Sequence, residues 1–186
     1  SIVSQYTSST VTWKLSSEGG TTELAFGTSS DSLTDKPQVT KKDDGSYTAT
    51  LANLVPGSRY YFKISGTSAS KKPGTYSGVI TTRGFPVKLT VTEGGTPSAT
   101  AKIRIGQQTY ATSKDGSITL SLAQGPYQAT ISTETTSKDV AFTVANKEIP
   151  TDGSAPAEQS FSFDLPVQAQ QQGSSLGIFA FIGALV

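Results

Sequence analysis

The sequence predicts an all-β protein: two tandem β-sandwich modules followed by a C-terminal apolar segment. Three observations carry this. Apolar residues alternate with polar ones in short runs, the period of a strand with one buried face. Glycine-, proline- and aspartate-rich turn signals separate the runs at sandwich-like spacing. The last eleven residues, Leu176 to Val186, are uncharged and almost wholly apolar.

In chain order, Val11, Trp13 and Leu15 alternate with Thr12 and Lys14, and Leu24 and Phe26 follow. Tyr60, Phe62 and Ile64 form the next set, then Val87, Leu89 and Val91, then Ala101, Ile103 and Ile105. Ile118, Leu120 and Leu122, then Tyr127, Ala129 and Ile131, then Val140, Phe142 and Val144 complete the series. Asp43-Asp44-Gly45-Ser46, Pro56-Gly57, Glu93-Gly94-Gly95, Asp115-Gly116 and Gly125-Pro126 read as the connecting turns. No amphipathic helix is legible in residues 1–170. The weakest point between strands is Thr82-Arg83-Gly84-Phe85-Pro86, which divides the chain into modules 1–83 and 84–147. Residues 148–175 read as a linker carrying one extra strand at 161–167.

Composition narrows the chemistry. The 186 residues contain no Cys, His or Met, and the net charge is +1. Without His, the side chain best suited to proton transfer at neutral pH is missing. Without Cys or His, zinc, copper and iron–sulfur centres lose their usual ligands. The expectation is therefore no catalytic residue, no metal and no cofactor. The balanced charge offers no basic face for nucleic acid. There are 53 Ser and Thr, a richness common in exported β-proteins and surface stalks. The chain begins at Ser1 rather than Met, which fits a removed export signal as well as trimming.

Leu51-Ala52-Asn53-Leu54-Val55-Pro56-Gly57-Ser58-Arg59-Tyr60-Tyr61-Phe62-Lys63-Ile64 carries a leucine, a Pro-Gly turn, a tyrosine and an alternating strand. With Trp13 upstream, residues 9–83 resemble a fibronectin type III domain. Ala25-Phe26-Gly27-Thr28-Ser29 and Leu33 resemble the variant at the N-terminus of purple acid phosphatases. The resemblance implies that Trp13, Tyr60 and Phe62 are structural, with Tyr60 as a corner tyrosine bonded to nearby backbone. It does not carry phosphatase activity over, because that catalytic domain needs histidine ligands.

In the second module, Ala101 to Ile105, Thr112-Ser113-Lys114-Asp115-Gly116, Leu120-Ser121-Leu122 and Gly125-Pro126-Tyr127 resemble a carboxypeptidase regulatory-like sandwich. That fold is similar to the B-type repeats of collagen adhesins. Tyr127 is then structural. A Lys88–Asn146 isopeptide bond, known in such repeats, is disfavoured because Lys88 alternates with Val87 and Leu89 and so points outward. The Asp-Gly sites read as hairpin turns rather than calcium loops.

Phe161, Phe163, Leu165 and Val167 alternate as a strand that either completes the second module or is donated to a neighbour. Leu176, Ile178, Phe179, Phe181, Ile182, Leu185 and Val186 form a membrane or assembly segment. As a helix it would rise about 16 Å, half a bilayer core, so it reads as the start of a transmembrane helix. Leu165-Pro166 lacks the threonine and glycine of a sortase signal.

The functional expectation is a non-catalytic, extracytoplasmic protein, anchored to the membrane through its C-terminal segment, serving as a stalk, adhesion surface or accessory subunit with protein partners. The alternatives are a filament subunit assembled by strand exchange, in which Phe161–Val167 or the N-terminal Ser1–Thr7 segment completes a neighbour's sheet, and a carbohydrate-binding module. In the last, Tyr47, Tyr61, Tyr76 and Tyr110 would offer aromatic faces to a glycan, Tyr61 foremost.

Overall fold

The computed structural model describes residues 1–16, 20–68 and 71–167. Among these the chain is all-β: fifteen strands and no helix. Two apolar cores form, one from residues between Val11 and Ile80 and the other from residues between Phe85 and Leu165.

The first core lies between two sheets. One has the order β1 (Ile2–Ser4), β2 (Ser9–Trp13), β5 (Tyr47–Leu51), β4 (Val39–Lys41); the other has β3 (Thr21–Gly27), β6 (Arg59–Thr67), β7 (Pro73–Thr81). All pairings are antiparallel. Period-two side-chain geometry sends Val11, Ala49 and Leu51 inward from the first sheet, and Leu24, Phe26, Phe62 and Ile64 inward from the second. Each of the larger of these side chains, fully buried, contributes about 1.5–3 kcal/mol of transfer free energy. Tyr60 is buried in the same core, and its hydroxyl accepts the Val55 N–H at 2.8 Å. Thr82 ties down the same corner: its hydroxyl donates to the Val55 carbonyl at 2.6 Å and accepts the Ser58 N–H at 2.9 Å.

The second core lies between a sheet of β11 (Gln108–Ala111), β10 (Lys102–Ile105), β13 (Gly125–Ser132), β14 (Ser137–Val144) and a sheet of β12 (Ser117–Leu122), β8 (Phe85–Glu93), β15 (Gln159–Leu165). The short β9 (Thr96–Pro97) pairs with β8. Strand β8 is the spine: Phe85, Val87, Leu89 and Val91 are all fully buried, and Lys88 lies on the opposite face. The Asp115-Gly116-Ser117 turn is built as its sequence suggests. Gly116 takes φ +71°, and the Asp115 carboxylate accepts the Ser117 hydroxyl at 2.8 Å.

Strand β15 corrects the reading of 148–175 as a linker with a strand at 161–167. The strand starts earlier, at Gln159, and stops at Leu165 before Pro166; Val167 is exposed. It pairs parallel with β8 over seven positions, Gln159↔Val87 to Leu165↔Glu93. Leu165 is fully buried, and Phe161 and Phe163 pack on Phe142 with ring centroids at 4.9 and 6.2 Å. The preceding segment is packed as well: Ile149 lies against the core and Pro156 is buried. The Gln159 amide clasps the backbone of Ala145, accepting its N–H at 2.8 Å and donating to its carbonyl at 3.0 Å. Residues 84–165 thus form one packed body.

The two bodies meet closely. A Cβ at Gly57 would sit 2.6 Å from the Cα of Ala123. The Pro56-Gly57 turn therefore presses on the β12–β13 hairpin, and this contact requires a residue with no side chain.

Candidate functional site: an open groove between β1 and β7

The first sandwich is incompletely closed. β1 and β7 are the edge strands of opposing sheets, and a groove of about 920 Å³ opens between them. Its origin is local. The inner face of β7 runs Gly74, Tyr76, Gly78, Ile80. The Phe62 ring occupies the space a Cβ on Gly78 would need, 2.7 Å away, whereas a Cβ on Gly74 would meet nothing within 4 Å. Tyr76 thus stands as a single aromatic side chain between two bare positions, 63% exposed, its ring 6.0 Å from that of Phe62.

The facing wall is Ile2, Val11, Trp13 and Leu15. Trp13 is held from behind. Its ring stacks on Tyr47 at 6.2 Å, and its indole N–H donates to the Thr22 hydroxyl at 3.2 Å. Thr12, Ser16, Ser68, Thr75, Lys14 and Lys72 supply the polar lining. Among the described residues no Asp, Glu, Asn or Gln is in the lining. Lys14 lies 3.9 Å from the Asp44 carboxylate, an exposed pair of little energetic weight.

Elsewhere, the carboxylates with displaced pKa values are exposed and held by hydroxyls. Bonds from Ser113 and Ser117 pull Asp115 down to about 2. The Thr133 hydroxyl lowers Glu93, with Thr135 and Ser98 adding to it, and the Thr92 hydroxyl lowers Asp164. Each cause favours the ionised form, so these groups act as charged loop clasps at neutral pH. Among the described residues, no three His, Cys, Asp or Glu side chains cluster as metal ligands.

The sequence-predicted residues are distributed as follows. Tyr60 and Phe62 lie in the first core, while Tyr127 is part-buried and stacks on Phe142 at 5.4 Å. Trp13 is half-buried at the rim of its core rather than within it. Tyr61 lies on the outer face of β6 beneath the Arg59 guanidinium, 5.3 Å from its ring centroid. The four tyrosines proposed as aromatic faces do not converge. Tyr47 is buried behind Trp13, Tyr110 belongs to the other body, and only Tyr76 faces the groove. Phe161, Phe163 and Leu165 pack within their own sandwich. Leu176, Ile178, Phe179, Phe181, Ile182, Leu185 and Val186 lie outside the described residues. Among the described residues no helix is long and apolar enough to cross a membrane. Sequence reasoning missed Gly74 and Gly78. The one local signal was a lone tyrosine flanked by glycines two residues away on each side.

No family model matches the chain, and no curated protein matches it by sequence. Two solved structures are similar to it at a TM-score of 0.23 each. One is an amphioxus IgVJ-C2 molecule, 10% identical, with 77% of this chain and 99% of that chain covered. The other is the Bacteroides ovatus mixed-linkage glucan utilization locus protein SGBP-B in complex with a mixed-linkage heptasaccharide. It is 14% identical, with 87% of this chain covered but only 43% of that one.

Proposed function

We propose that this chain is a non-catalytic, extracytoplasmic interaction protein, a load-bearing stalk anchored to the membrane through residues 176–186. The observation that supports it is the path of the chain through the second sandwich. The chain enters at Phe85, the start of β8, and leaves after Leu165, the end of the parallel strand β15. Tension between the first sandwich and the C-terminal segment pulls these two strands in opposite senses along their length. The seven register positions then share the load together instead of parting one at a time. A spacer between a membrane and a distant contact needs that property. The tight Gly57–Ala123 approach also limits hinging between the two bodies.

The anchoring is tested by fractionation of the native, full-length protein. Retention in the membrane pellet through carbonate, with release by detergent, is the expected result. Release by carbonate alone, or sedimentation as detergent-insensitive polymer, would contradict anchoring and favour an assembly role for the same segment.

A further inference from the structure

We propose that the groove between β1 and β7 is the docking site for an extended, acidic-ended strand of a partner protein. The inference deepens the interaction-protein reading and rests on it.

The backbone comes first. β1 and β7 end their respective sheets, and among the described residues β7 pairs only with β6. An edge strand presents every second N–H and C=O to whatever lies beside it, so β7 offers a template for one more strand. Lys72 and Pro73, the residue types that blunt such edges, guard only its first positions.

Side chains point to the same place. Six large apolar side chains are exposed among the described residues, and four of them, Ile2, Val3, Tyr76 and Val79, lie on β1 and β7. Ile2 and Tyr76 face the groove itself. A strand laid along β7 would present a side chain to the groove about every 6.7 Å, twice the rise per residue. The open space at Gly74 beside the Tyr76 ring receives one such side chain.

Charge and chemistry select the occupant. Among the described residues the groove is lined by Lys14 and Lys72 and by no carboxylate, which favours an acidic segment. It also disfavours a second copy of the same edge, since lysines would then face lysines. A glycan is the competing ligand for an exposed tyrosine. Among the described residues no carboxylate or side-chain amide lines this site, so its side-chain acceptors for sugar hydroxyls are the hydroxyls of Thr12, Ser16, Ser68 and Thr75, beside walls that are largely aliphatic and aromatic.

The test is an NMR titration of the labelled full-length chain. The probe is a synthetic peptide that alternates valine and phenylalanine with threonine and carries two glutamates at each end. Saturable shifts confined to the amides of β1, β7 and the Trp13 side chain are expected. Tyr76→Ala, at an exposed position, should weaken binding about tenfold or more with an unchanged unfolding midpoint. The double variant Lys14→Glu/Lys72→Glu should prefer a peptide with lysines in place of the glutamates. A scrambled peptide without alternation should bind about tenfold more weakly. No saturable shift, equal binding of the scrambled peptide, or a response to cellohexaose instead of the peptide would each overturn the strand assignment. If the peptide fails while the chain still requires detergent for release, the groove assignment falls and the anchored-stalk reading stands.

Discussion

Replacing Leu165 with alanine puts the role of β15 to a quantitative test. Leu165 is fully buried at the C-terminal end of a strand that a linker reading would leave dispensable. Removing a buried leucine side chain costs about 3–5 kcal/mol where the surroundings cannot collapse. Collapse is restricted here, because β15 is held to β8 along seven register positions and by its Phe161 and Phe163 contacts to Phe142. Against a domain stability of about 5–15 kcal/mol, the loss is a large fraction. With a urea slope of about 1–3 kcal/mol/M, the midpoint should fall by roughly 1–5 M. Two probes separate the bodies. Trp13, the single tryptophan, reports the first sandwich by fluorescence, and amide exchange at Ile103 and Ile131 reports the second. The second transition is expected to move and the Trp13 transition to stay. A loss below about 1 kcal/mol, the range of surface substitutions and small repacking, would refute the claim that β15 seals the core. A Trp13 transition moving in step would refute independent cores.

Two further outcomes follow from single contacts. Tyr60→Phe removes the acceptor of the Val55 N–H and should cost the first sandwich about 1 kcal/mol, lowering its Tm by about 4–8 °C. Trp13 fluorescence reads this directly, and an unchanged Tm would mean water replaces the hydroxyl without loss. Asp115 has a folded-state pKa depressed from 3.8 to about 2, so its stabilisation is present above about pH 4 and is lost as the pH falls through 2. The Tm difference between the native chain and Asp115→Ala should therefore be constant at neutral pH and vanish towards pH 2. A difference that persists there would assign it to lost packing rather than to the ionised carboxylate.

The all-β character was legible because strands β6, β8 and β13 keep a strict two-residue apolar period, and their burial follows it residue by residue. Local pattern could not reveal β7. Pro73, Gly74 and Gly78 read as breakers, and the strand exists because nine positions pair with β6. Nor could it reveal the partner of β15, since nothing in Phe161 to Leu165 encodes a parallel neighbour more than seventy residues upstream. Tyr47 was readable in principle: Tyr47, Ala49 and Leu51 share a buried face, and the tyrosine follows them inward. The groove was not, because it consists of an absent side chain at Gly74 and of two sheet edges that diverge only in the folded protein.

The load-bearing claim is tested most directly by single-molecule force measurement on the second sandwich in two geometries. Pulling between Gly84 and Val167 shears β8 against β15, whereas pulling between Gly84 and Glu158 opens the same pair from one end. The expected result is an unfolding force several-fold higher in the first geometry. Equal forces in the two would show that the parallel pair carries no special load, and the stalk reading would lose its structural basis.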